Sequence, residues 1–176
     1  AGDIEARLLA ATPDFNNRVV FETFLKAINS AQKYIYITNA YFLPNTIFRN
    51  ALENAVKRGV DARIILLSKS DLPNLRRAFQ IYYDSLLEKG VRIFELKNNV
   101  LHAKYMLVDD IWATIGSTNI LDRAFFMNLE TNIEVLNAPF TAELKKIFYS
   151  DLRNSEEITL EKWRNRGAFY KIRDYL

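Results

Sequence analysis

The stretch that decides the fold is Tyr34-Ile-Tyr-Ile-Thr38, a helical segment bounded by Asn45 and Gly59, and then Asp61-Ala-Arg-Ile-Ile-Leu-Leu67. The first of these runs, 34–38, is rich in β-branched and aromatic residues, which favour strands. Ile64-Ile-Leu-Leu67 is apolar throughout rather than alternating, as expected of a strand covered on both faces. Between them Ile47, Phe48, Ala51, Leu52, Ala55 and Val56 recur at helical spacing. Asn45 stands where an N-cap is needed and Gly59 where a helix stops. A strand, a helix and a second strand in this order predict two parallel strands joined by a crossover helix.

The same alternation extends both ways. Val20, Phe21, Phe24, Leu25 and Ile28 share one face of a helix predicted over 19–31. Asp71 and Pro73 open a third helix that carries Leu75, Phe79, Tyr82, Tyr83, Leu86 and Leu87 as far as Gly90, and 91–96 is another strand. The rhythm then changes. Two strands, 104–109 and 111–115, are separated by Asp110 and read as a tight hairpin. After a polar loop and a short segment at 122–128, residues 130–136 are extended. Pro139 begins an amphipathic helix with Leu144, Ile147, Phe148 and Leu152 on one side. The tail from Glu161 has no firm assignment. The fold expected is α/β: a three-layer α-β-α sandwich around a mixed, mostly parallel sheet with a central β-hairpin. It forms a single domain over 1–176, without repeat or linker.

Composition narrows the chemistry. With 49% hydrophobic and 13% aromatic residues but only 5 Gly and 4 Pro among 176, disordered and collagen-like classes are excluded. The absence of cysteine excludes disulfides, thiolate zinc sites and a cysteine nucleophile. No apolar run approaches the ~20 residues that span a bilayer. The opening Ala1-Gly-Asp-Ile-Glu lacks the basic start and apolar core of a signal peptide. A first residue other than Met points to a processed chain or an excised domain. Twenty-four Lys and Arg against 21 Asp and Glu permit a phosphate-bearing partner without identifying one. The chain has a single histidine, so any histidine chemistry falls to His102.

The chemically informative segment runs from Leu101 to Asn119. In an extended strand residues two apart point the same way, so His102 and Lys104 project together. The return strand ends at Gly116 and brings Ser117 and Asn119 back to the same end of the hairpin. Lys104 and Asn119 offer donors without strong basicity, which suits an oxyanion and above all a phosphate. His102 then serves as nucleophile or proton carrier near neutral pH. Taken singly, a lone His is most often a packed or surface residue, Gly-Ser-Thr-Asn a turn, and Asp109-Asp110 hairpin chemistry. The joint spacing is what carries the signal.

That spacing, His102-x-Lys104, four residues, Asp109, six residues, Gly116-Ser117-x-Asn119, resembles the signature of the phospholipase D superfamily. Asn128-Leu-Glu130 supplies the acidic residue found beyond the motif. Thr12-Pro-Asp14, Asn39-Ala-Tyr-Phe-Leu-Pro44, Arg58-Gly-Val-Asp61, Ile81-Tyr-Tyr83 and Gly90-Val-Arg92 look like the C-terminal half of bacterial cardiolipin synthases. The likeness covers about 12–165. Ala124 and Asn39 depart from the pattern of those enzymes, which usually carry Ser, and Thr or Ser, at the two positions.

The resemblance implies two-step phosphodiester transfer without metal or cofactor. His102 forms a phosphohistidine, while Lys104, Ser117 and Asn119 hold phosphate oxygens. Glu130 orients the imidazole, and Asp109 and Gly116 have structural roles. Catalysis of this kind needs a second histidine, so the chain implies a second motif-bearing half or a homodimer partner. Phosphatidyl transfer in cardiolipin synthesis from a phosphatidylglycerol-like anionic phospholipid is the reading favoured. The alternatives are a homodimeric phospholipase D, a nuclease, for which the charge balance is a poor match, and a non-catalytic half that completes a partner's site. Tyr41 and Phe42 are candidates for the substrate entrance, or else a loop that seals the core. Lys162, Arg164, Arg166, Lys171 and Arg173 beside Trp163, Phe169 and Tyr170 are candidates for contact with an anionic membrane surface, or else a solvated tail. The expected location is the cytoplasmic side of a bacterial inner membrane, peripheral or anchored through residues outside a soluble domain.

Overall fold

The computed structural model describes residues 4–14, 16–68, 73–97 and 100–166, with backbone alone at 73–76. In chain order the elements are β1 (Ala6–Ala11), α1 (Val19–Ser30), β2 (Tyr34–Thr38), β3 (Phe42–Leu43), α2 (Thr46–Lys57) and β4 (Asp61–Leu67). There follow α3 (Pro73–Gln80), α4 (Tyr83–Glu88), β5 (Arg92–Leu96), β6 (Tyr105–Val108) and β7 (Trp112–Gly116). The last are β8 (Ile120–Leu121), α5 (Asp122–Phe126), β9 (Glu130–Leu136), α6 (Ala138–Arg153), β10 (Ser155–Ile158) and α7 (Leu160–Arg164).

Eight strands form one sheet in the order β1-β9-β7-β6-β2-β4-β5-β10, and β3 with β8 makes a small parallel ribbon. β1, β2, β4, β5 and β7 run one way, yet only β2–β4 and β4–β5 are parallel neighbours. The parallel core is therefore narrower than expected. The hairpin inserts β6 beside β2, and β1, β9 and β10 add antiparallel edges.

Helices cover both faces. On one side Phe21, Phe24 and Ile28 of α1, Phe48 and Leu52 of α2, Leu86 of α4 and Phe125 of α5 pack on Ile35, Ile37, Ile64, Ile93 and Met106. On the other, Leu144 and Phe148 of α6 join Tyr34, Tyr36, Ile65, Phe94 and Leu107. There Tyr36 stacks on Phe148 with centroids 4.6 Å apart. Alternate strand residues feed the two layers, which is why the strands at the middle of the sheet read as unbroken apolar runs.

Three expectations are corrected. The third helix is two, because Ile81 and Tyr82 turn through N–H bonds to the carbonyls of Ala78 and Phe79, three residues back. The break lets Gln80 Nε2 and Tyr83 Oη, on opposite sides of it, both donate to the buried Glu95 carboxylate, each at 3.2 Å. Asp71 lies outside the described residues. Ile147 is exposed, and the buried side of α6 is Thr141, Leu144 and Phe148. The hairpin loop uses Asp109, Asp110 and Ile111 between the pair Val108–Trp112. Both aspartates sit at positive φ, 53° and 61°, a conformation that Asp tolerates better than most residues. β1, β10 and the β3–β8 ribbon were not legible in the sequence, since each is short and stabilised by its neighbour in the sheet.

Candidate active site

The carboxyl ends of β2, β4, β5 and β7 share one edge of the sheet with the amino ends of β6 and β9. In open α/β sheets ligands bind outside the carboxyl ends of parallel strands. His102, Lys104, Ser117, Asn119 and Glu130 all fall at this edge, either just before β6 and just after β7 or at the start of β9.

Lys104 is buried, with 6% of its surface exposed, whereas His102 lies exposed beside it. The Lys104 Nζ donates to the His102 carbonyl at 2.5 Å. Burial lowers the lysine's pKa from its ordinary value, and the nearby Glu130 carboxylate acts in the opposite direction. A desolvated ammonium held at the edge of a sheet is a strong electrostatic anchor for an anion, because little water competes with it.

Gly116 is required where it stands. A Cβ there would run into the Thr131 carbonyl oxygen and lie 2.6 Å from Asn132 Cα. That close approach seats the next three residues against β9. The Ser117 N–H donates to the Thr131 carbonyl at 2.9 Å, and the Ser117 hydroxyl accepts the Thr131 N–H at 3.0 Å. The buried Thr118 gives its N–H and hydroxyl to Asn132 Oδ1 at 3.3 and 2.6 Å. Asn119 Oδ1 accepts the Tyr41 N–H at 3.1 Å, so the acceptor end of the amide is occupied and its NH2 end is the one that can serve a ligand.

Two residues missed in the sequence hold this loop. Asn39, buried at the end of β2, accepts the Ile120 N–H at 3.1 Å and donates to the Thr118 carbonyl at 3.4 Å. Asn132 receives Thr118 and donates to Thr114 Oγ1 at 3.2 Å. Asn132 shares its strand face with Glu130 and Glu134, so its spacing reads as a solvated face. The position of Asn39 straight after a buried strand was the signal available for it.

Other predicted residues are distributed as follows. Asp109 lies at the opposite edge of the sheet, where its carboxylate accepts the N–H groups of Gln32, Lys33 and Tyr34 at 2.6, 2.8 and 2.9 Å. Asn128 Nδ2 donates to Glu130 at 3.3 Å, and among the described residues no hydrogen bond joins Glu130 to the His102 ring. Tyr41 is half-buried against Phe79. Phe42 is a core residue packed on Phe48, so it cannot edge an entrance. In the tail, Lys162 pairs with Glu156 and Arg164 with Asp84 and Glu88, which leaves these two cations engaged within the fold. Lys171, Arg173, Phe169 and Tyr170 lie outside the described residues.

No group of three or more His, Asp or Glu side chains able to hold a metal ion occurs among the described residues. No described helix is long and apolar enough to cross a membrane.

This constellation on this sheet defines a phospholipase D-like domain. Residues 24–152 match the family described as cardiolipin synthase, PLD-like domain, and the chain belongs to that family. It is 32% identical over 166 residues to a cardiolipin synthase of Halalkalibacterium halodurans, covering 94% of this chain and 33% of that protein. A cardiolipin synthase of Staphylococcus aureus is 32% identical over 173 residues, 98% of this chain and 35% of the relative. The chain thus spans about a third of the length of these relatives. Among solved structures, the phospholipase D family member Nuc from Salmonella typhimurium superposes with a TM-score of 0.76 at 20% identity. The match covers 89% of this chain and 99% of Nuc.

Proposed function

We propose that the chain is one catalytic half of a phospholipase D-type phosphatidyltransferase that makes cardiolipin from a phosphatidylglycerol-like donor. The observation that carries the proposal is the buried Lys104 ammonium held on the main-chain carbonyl of the exposed His102 at the carboxyl edge of the sheet. A His102 ring nitrogen attacks phosphorus, and the bond from phosphorus to the departing alcohol breaks. A second imidazole protonates that alcohol. In the return step the second imidazole takes a proton from the incoming alcohol, whose oxygen attacks phosphorus and releases His102. Lys104 and the Asn119 NH2 group stabilise charge on the nonbridging oxygens, with Ser117 at their side. Glu130 orients the ring once substrate has closed the site. No cofactor takes part.

The chain's single histidine makes the second imidazole the contribution of another motif-bearing domain. A second reading is favoured by one observation, that Nuc is matched over 99% of its length by this domain alone: a free-standing phosphodiesterase built from two copies. Incubation of the chain joined to its second motif-bearing half with phosphatidylglycerol vesicles, and of the chain alone with plasmid DNA in EDTA, distinguishes the two. Formation of cardiolipin and free glycerol, reduced at least about a thousandfold by His102→Ala, is the expected result. DNA cleavage with the lipid untouched overturns the transferase reading, and full activity of His102→Ala overturns the nucleophile.

A further inference from the structure

The tail loses its case for membrane contact once Lys162 and Arg164 are paired with carboxylates of the fold. The edge of the sheet that carries the motif has what the tail lacks. Val100 stands two residues before His102, and Met127 and Leu129 stand between α5 and Glu130. These three residues are 93%, 56% and 76% exposed. Single exposed apolar residues are ordinary, but three on the two segments that lead into β6 and β9 rim one site.

Arginines occupy the same edge. Arg18 heads α1 and Arg123 lies in the first turn of α5. Arg153 ends α6 just before β10, whose Ser155 pairs with Leu96 at the carboxyl end of β5. All three are exposed, and Arg123 and Arg153 form no ion pair among the described residues. Arg18 lies 5.6 Å from the ring centroid of Phe126, the neighbour of Met127 in the chain. The exposed carboxylates there, Asp14 and Asp122, accept the Asn16 N–H and the Asn45 amide.

Protruding apolar side chains ringed by cations suit the interfacial plane of a bilayer, where apolar parts sink about 5–10 Å and cations meet anionic headgroups. A protein interface would instead be depleted of charge at its centre. We propose that the motif edge is itself a membrane-docking surface: Val100, Met127 and Leu129 enter the acyl boundary of an anionic bilayer, and Arg18, Arg123 and Arg153 sit on its headgroups. The inference rests on the proposed function, whose donor is an anionic phospholipid, and adds how that donor is reached. A domain seated at this depth holds Lys104 level with the headgroup phosphates, so the phosphodiester enters the site while its acyl chains stay in the bilayer.

Cosedimentation of the chain with sucrose-loaded vesicles tests the surface, with equal parts of phosphatidylglycerol and phosphatidylcholine set against phosphatidylcholine alone. The wild type should bind the anionic vesicles and come off as salt is raised. Leu129→Ser and, independently, Arg123→Glu should each weaken binding at least ~10-fold, through lost apolar burial and lost charge. Leu136→Ser is the control and should bind like the wild type, since Leu136 is 67% exposed but ends β9 at the far edge of the sheet. The fluorescence of Leu129→Trp should shift to the blue on anionic vesicles and be quenched by brominated acyl chains. Circular dichroism melts establish that each variant is folded. No binding of the wild type to anionic vesicles, a folded Leu129→Ser that binds as tightly as its parent, or binding to plasmid DNA alone overturns the surface. Because the readout is binding, His102→Ala should behave as the wild type does. Vesicle binding through the rim, with no phosphatidyl transfer by the chain joined to its second half, leaves the surface standing and removes the transferase reading. Transfer that Leu129→Ser leaves untouched does the reverse.

Discussion

Asn39 Oδ1 accepts the backbone N–H of Ile120 at 3.1 Å and so ties the end of β2 to the residue that follows Asn119. The same side chain reaches the carbonyl of Thr118. One buried amide therefore fixes the loop from which Ser117 and Asn119 project. In Asn39→Ala a buried N–H and a buried carbonyl lose their partners, at a cost of about 1–3 kcal/mol. Urea denaturation should show that loss, and steady-state kinetics should show kcat falling more than KM rises.

Asp109 belongs to the sequence motif yet sits at the far edge of the sheet, with three backbone N–H groups of the α1–β2 connection on its carboxylate. Asp109→Ala should destabilise the protein by about 2–3 kcal/mol, the scale of hydrogen bonds to a charged acceptor. Turnover per folded molecule should remain that of the wild type. Parallel measurement of the urea midpoint and of active-site-normalised kcat checks both.

Lys104 gives a pH signature of definite sign. Its folded pKa is lowered by burial, so the folded chain holds this proton less tightly than the unfolded chain does. Between the lowered value and the ordinary lysine value the unfolded state binds more protons, and stability rises with pH across that window. Below it, the buried ammonium is a standing cost. Lys104→Met should be about 1 kcal/mol more stable than wild type near pH 7, because an apolar side chain replaces a desolvated charge. Its advantage should narrow as pH approaches the lysine range. Catalysis should fall at least ~100-fold with the loss of the charge on the phosphate. Urea titrations at pH 7 and pH 10, paired with activity, check all three.

Much of this was readable from residue order. β2, α2 and β4 follow from a continuous apolar run, a cap and a stop, because each of those signals is local. The motif residues were legible because His102, Lys104, Ser117 and Asn119 are brought together by a hairpin, which joins neighbours in sequence. What escaped depends on distant partners. β1 gains its strand from β9, more than a hundred residues away, and the break between α3 and α4 serves the buried carboxylate of Glu95. Asn132 was hidden because a polar residue among glutamates on a strand looks the same whether water or Thr118 satisfies it.

The two borders of the eight-stranded sheet are guarded unequally. β10 presents Glu156 and Glu157, salt-bridged to Lys97 and Arg92, so like-charged repulsion and prior pairing discourage any newcomer. β1 is Ala-Arg-Leu-Leu-Ala-Ala, with one charge in six residues, and as the end strand it pairs with β9 alone, the Asn17 amide reaching its Ala10 carbonyl. Unprotected borders of this composition recruit extended chains indiscriminately. Precipitation in concentrated preparations should therefore begin at residues 6–11, and a lysine introduced at Ala10 should raise solubility.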